Sequence, residues 1–196
     1  MHKMSKQIPI EISARHIHIS QSDWEVLFGD GSALRSAKDI SQPNQFVTPE
    51  RVTLRGHKDE IKNVAVVGPA RDATQVELSK TDAARLGIPE TPILVSGSLK
   101  DSGGGITIIG TRGEVRLSHG VMIAQRHVHA SPQDATRLGI AHGDRISLRT
   151  EGTRPITFHD VAVRAREGIN SLAFHIDTDE ANAAGLAMGD FAEIIK

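Results

Sequence analysis

The chain of 196 residues contains no cysteine. That excludes disulfides, thiolate metal ligands and a cysteine nucleophile together, so any bound metal must be held by nitrogen and oxygen donors. Aromatic residues are almost as scarce, at 3% with one Trp and no Tyr, which gives little support to a platform for stacking nucleic-acid bases. Neither sign of charge dominates, with 23 Lys and Arg against 24 Asp and Glu. Without clustered positive charge the phosphate backbone of a nucleic acid has nothing to bind, so none is expected as a partner. No apolar run reaches membrane-spanning length, and Met1–Gln7 lacks the apolar core of a signal peptide. The expectation is a soluble, cytoplasmic protein with no membrane partner.

What the chain does have is a repeated word. Arg15-His16-Ile17-His18 returns as Arg126-His127-Val128-His129. In an extended strand residues i and i+2 share a face, so each word sets two imidazoles side by side, close enough to hold one metal ion.

A longer unit surrounds the word. Ser131 to Ile140 reads as an N-cap, a short helix begun by Pro132, and a glycine stop. Ser79 to Ile88 repeats it, Asp177 to Leu186 is a third copy with a capping-box Glu180, and Ser20 to Gly29 is a looser fourth. Two residues before the caps stand His18, Glu77, His129 and His175, each a competent metal ligand. Four residues before them stand His16, Gln75, His127 and Ala173. In this reading a strand ends by delivering a ligand, and the next helix turns the chain away. A purely architectural repeat is the bland alternative.

Short β-prone segments fill the rest: 51–54, 63–67, 93–96, 106–109, 114–117, 121–124, 145–149, 157–163 and 191–195, punctuated by Gly and Asp. The fold class expected is mainly β with short helices, a β-rich α+β chain built as two small closed β-barrels capped by short helices and related by an internal pseudo-repeat. Residues 30–50 read as an excursion loop.

Histidine and carboxylate without thiolate suit Zn²⁺, with Mn²⁺, Fe²⁺ and Co²⁺ as other divalent choices. Five histidines and one glutamate exceed the needs of one catalytic zinc. They divide into His16, His18 and Glu77, and His127, His129 and His175, which favours two open-sided metals over one closed structural site. Arg71, six residues before Glu77, could clamp an anion bidentately if a metal lies beside it, with a solvated loop arginine as the bland alternative. Arg15 and Arg126 alternate away from the histidines and are expected to pack or form ion pairs. His2, His57, His119, His142 and His159 lack the repeat's spacing and read as ordinary surface or partly buried residues. Ser102-Gly103-Gly104-Gly105 has no P-loop ending.

Taken together, Arg15–His18, Ser41-Gln42-Pro43, Gly68–Arg71, Thr74–Glu77, Arg126–His129 and His175–Asn182 resemble the PduL-type phosphotransacylases, or phosphate propanoyltransferases, nearly end to end. The resemblance implies two barrels discontinuous in sequence, 1–14 with 123–196 and 15–122, and an active site between them. It implies a dinuclear zinc site in which His16, His18 and Glu77 hold one ion that takes the coenzyme A sulfur. His127, His129 and His175 hold the other with water or phosphate, and Arg71 contacts the phosphate. The implied substrates are a short-chain acyl-CoA and phosphate, exchanged for acyl phosphate and CoA, with a homo-oligomer left open. Ala14 in place of a frequent Asn, and 100–105 in place of a Gly/Pro turn, depart from the pattern without touching a ligand. Microcompartment members of the family carry an amphipathic extension; about seven residues precede the first strand here, so a free cytoplasmic enzyme is expected. A dinuclear metallohydrolase of esters or phosphates, and a non-enzymatic small-barrel binding module, are the alternatives.

Overall fold

The computed structural model describes residues 6–169 and 171–195. His2 lies outside them. Among the described residues fifteen strands and four short helices follow one another: β1 (Gln7–Ser13), β2 (His16–Ser20), α1 (Gln21–Phe28), β3 (Lys38–Asp39), β4 (Phe46–Arg55), β5 (Glu60–Arg71), β6 (Gln75–Leu78), α2 (Lys80–Leu86), β7 (Ile93–Leu94), β8 (Ile106–Ile109), β9 (Glu114–Leu117), β10 (Val121–Ala124), β11 (His127–Ala130), α3 (Pro132–Leu138), β12 (Arg145–Thr150), β13 (Thr157–Ala165), β14 (Ala173–Asp177), α4 (Thr178–Ala184) and β15 (Phe191–Ile195). The protein is mainly β, as its short β-prone segments predict.

The helices begin and end where the repeated unit places them. Ser20, Ser79, Ser131 and Asp177 are the N-caps, and each side chain accepts from the backbone N–H three residues on, satisfying a donor that the first turn leaves without a partner. Asp177 and Glu180 complete a reciprocal capping box. Gly87, Gly139 and Gly185 close their helices in the left-handed conformation, whereas Gly29 closes the looser copy in a different one (φ 105°, ψ 151°).

The described residues form two compact units, one of those up to Ser13 together with those from Gln125 onward, the other Ala14–Ala124. In the first, six strands close into a barrel in the order β1-β14-β11-β13-β12-β15. Its core packs Ile8, Ile10, Val128, Leu148, Phe158, Phe174 and Ile176. In the second, nine strands form a half-barrel that runs β7-β10-β6-β2-β5-β4-β8-β9, with β3 on β4. Closure therefore belongs to one unit only. The end strand β7 spans two residues, which gives it little ladder with which to meet another edge. Ile17, Ile19, Trp24, Leu54, Val66, Val76 and Ile106 fill this second core.

The expected excursion at 30–50 is shorter than the sequence suggested. Lys38 and Asp39 pair with Val47 and Phe46, and the β-prone run Phe46-Val47-Thr48 opens β4.

The two units share one local arrangement. β2 pairs in parallel with β5 and antiparallel with β6, while β11 pairs in parallel with β13 and antiparallel with β14. Each Arg-His-x-His strand is thus flanked in the same way.

Candidate active site

On β2 the inward residues Ile17 and Ile19 are buried in the core, so His16 and His18 project from the opposite face. Antiparallel pairing sets Glu77 directly across from His16. Ligand atoms of His16, His18 and Glu77 all lie within 4.8 Å of one another. Glu77 stands 3.8 Å from His16 Nε2 and 3.7 Å from His18 Nε2. On β11 the inward residues are Val128 and Ala130, and the register sets His127 across from His175. The ligand atoms of His127, His129 and His175 gather within the same limit, with ring centroids 4.7–5.0 Å apart. All of these side chains are buried except His16, which is partly exposed.

Nitrogen chemistry in both clusters fits a metal. His16 and His127 each place Nδ1 2.8 Å from the carbonyl oxygen two residues upstream, Ala14 and Gln125 respectively. An Nδ1–H donating there makes Nε2 the unprotonated nitrogen, the form in which imidazole binds a cation. His129 Nε2 is buried with no hydrogen-bond partner among the described residues, a costly state that a metal would relieve. Burial, then the neighbouring His16 and Arg71, lowers the His18 pKa to about 2. Burial, then His127, His175, Arg164 and Arg166, lowers that of His129 to about 2. Both rings are therefore neutral and ligand-competent at ordinary pH.

Side chains that the spacing did not single out hold the donors in place. Gln75 Nε2 donates to Glu77 Oε1 and to Ser96 Oγ, Ser96 Oγ donates to the same Glu77 oxygen, and the Gly97 amide fixes the Gln75 carbonyl. Gln75 could have been suspected, since it shares a strand face with Glu77; Ser96 arrives from a distant loop with no local signal. Arg164 lies across from His129 on β13 and adds positive charge to that cluster.

Arg71 ends β5, partly buried, opposite Ser20 after a register shift. Burial pulls its pKa below the ordinary arginine value while Glu77 pulls it back up, and its charge is felt at His18. It thus sits within electrostatic reach of the first cluster. Arg15 and Arg126 are in ion pairs, with Asp82 at 2.7 Å and Glu180 at 2.6 Å. His57, His119, His142 and His159 are exposed at the surface. Among the described residues no helix is long and apolar enough to cross a membrane.

The sequence profile described as phosphate propanoyltransferase matches residues 9–187. A phosphate propanoyltransferase of Clostridioides difficile is 44% identical over 189 residues, covering 96% of this chain and 89% of that protein. Those of Alkaliphilus metalliredigens and Thermotoga maritima are 46% and 45% identical, covering 97% and 96% of this chain and 88% and 89% of their own. Matches of this extent make the chain a transferase of the phosphate acyltransferase class. It belongs to the phosphate propanoyltransferase family.

Proposed function

We propose that the protein transfers the acyl group of a short-chain acyl-CoA to inorganic phosphate, reversibly, using two divalent ions of which Zn²⁺ suits the donors best. The observation that carries the reading is the pair of donor clusters, one His/His/Glu and one His/His/His, each with neutral or carboxylate donors and neither with thiolate. His16, His18 and Glu77 would hold one ion, and His127, His129 and His175 the other. When bound, such ions supply Lewis acidity toward a thioester carbonyl or a leaving thiolate.

The remaining chemistry falls to the chain and its substrates. A phosphate oxygen attacks the thioester carbonyl carbon, the C–S bond breaks, and CoA leaves as the thiolate. The absence of cysteine rules out a cysteinyl acyl-enzyme, and direct attack is the simplest course that remains. Arg71 is assigned the phosphate, which its planar fork can grip through two oxygens to hold the nucleophile in line. Gln75 and Ser96 keep Glu77 oriented through their hydrogen bonds to Oε1.

The test is CoA release from propanoyl-CoA with and without phosphate, trapping the acyl phosphate as its hydroxamate. Release that requires phosphate and yields hydroxamate is the expected result. Free acid formed at equal rate without phosphate would instead identify a metallohydrolase.

A further inference from the structure

In both units the strand that precedes the Arg-His-x-His word in sequence lies beside the strand bearing the third donor. β10 pairs in parallel with β6 and sets Met122 opposite Glu77. β1 pairs in parallel with β14 and sets Glu11 opposite His175. Met122 and Glu11 each precede their word's arginine by four residues, so they are the same position of the repeat. One copy fills it with a fully buried thioether, the other with a partly exposed carboxylate.

Glu11 follows the core residue Ile10 and therefore projects from the face that carries His175, not into the barrel core. Its Oε2 is 3.7 Å from His175 Nε2, matching the 3.7 Å between Glu77 and His18 in the other cluster. Donors about 2.0–2.1 Å from one tetrahedral ion stand roughly 3.3 Å from each other. Glu11 is near His175 but outside the 4.8 Å gathering of the three histidine donors, so its side chain must turn toward the ion to share it. His129 Nε2, buried without a hydrogen-bond partner among the described residues, independently marks the same cluster as a cation site.

We propose that Glu11 is a fourth protein donor to the ion held by His127, His129 and His175. The inference rests on the reading that this triad binds metal. With Glu11 engaged, each centre combines imidazoles with one carboxylate, and each divalent ion is reduced by one unit of charge. Zinc tolerates a fifth donor, so an ion held by these four side chains would still have room for phosphate.

The test loads metal-stripped protein with Co²⁺, whose visible absorption reports donor number, and measures both affinities by competition. The variants are Glu11→Gln, which keeps the shape and loses the charge, and Glu11→Met, which copies Met122. Wild type should take up two Co²⁺ per chain. Both variants should keep one site unchanged, bind the other at least ten-fold more weakly, and show an altered spectrum. Wild-type affinities and spectrum in both variants would overturn the assignment, as would a Gln variant that behaves like wild type beside a weakened Met variant. Wild-type protein that takes up no Co²⁺ would overturn the metal reading itself, a result separate from failure at Glu11.

Discussion

Arg126 Nη1 donates to Glu180 Oε1 at 2.6 Å, and Arg15 Nη1 donates to Asp82 Oδ1 at 2.7 Å. Both acids occupy the third position of the helix that follows a third donor: Asp82 in α2 after Glu77, Glu180 in α4 after His175. The arginine of each word therefore ties the strand that carries two donors to the helix that closes the strand carrying the third. The acid serves twice at Glu180, which also accepts from the Asp177 amide in the capping box.

Breaking that tie should loosen the cluster without removing a donor. Arg126→Ala and Glu180→Ala are each expected to cost about 1–2 kcal/mol, since a charge-assisted bond is lost at a partly exposed site. A double-mutant cycle on urea midpoints should return a coupling of about 1 kcal/mol. Strict additivity of the two changes would show that the pair contributes nothing.

Arg71 should matter to phosphate and not to the thioester. Arg71→Lys keeps the charge but loses the planar fork, so the KM for phosphate is expected to rise about ten-fold or more with the KM for acyl-CoA little changed. Steady-state kinetics with each substrate varied in turn separates the two. An equal rise in both values would remove Arg71 from the phosphate.

Acid should destabilise the metal-free protein. The unfolded chain protonates His18 and His129 near 6.5, while in the fold both stay neutral down to about 2. Between those values the unfolded state binds more protons, so stability is retained above about pH 6.5 and falls as the pH drops below it. Each ring can contribute up to about 1.4 kcal/mol per pH unit. Urea midpoints of metal-free protein from pH 7.5 to 4.5 should decline, and the His18→Asn/His129→Asn double variant should decline less. Identical slopes would contradict the assignment.

Gly68 lets the Phe46 ring lie against the strand that leads to Arg71. The two residues are register partners on β4 and β5, and a Cβ at Gly68 would come within 2.6 Å of the ring. Gly68→Ala is expected to cost about 1–3 kcal/mol through overpacking. Pairing it with Phe46→Leu should recover part of the loss in a thermal melt; no recovery would place the strain elsewhere.

The parts of this fold that could be read from the chain are those written locally. Ser79, Ser131 and Asp177 cap their helices because an oxygen three residues before a backbone amide suffices, and Gly87, Gly139 and Gly185 stop them because glycine adopts the left-handed turn without strain. His16 and His18 share a face for an equally local reason. What stayed hidden depends on which strands become neighbours. Glu11 faces His175, Arg164 faces His129 and Ser96 reaches Glu77 only through long-range pairing or loop placement. Closure of one sheet and the open course of the other are likewise properties of the whole ladder, with no residue to announce them.

The central claim is that two metal-holding clusters carry out phosphate-dependent acyl transfer. Its most direct test adds Zn²⁺ stepwise to metal-stripped protein while hydroxamate-trapped acyl phosphate is measured from propanoyl-CoA and phosphate. Activity should be absent at the start and reach its plateau at two equivalents per chain, with His129→Ala and Glu77→Ala failing to reach it. Full activity in the stripped protein, unchanged by added Zn²⁺, would contradict the account.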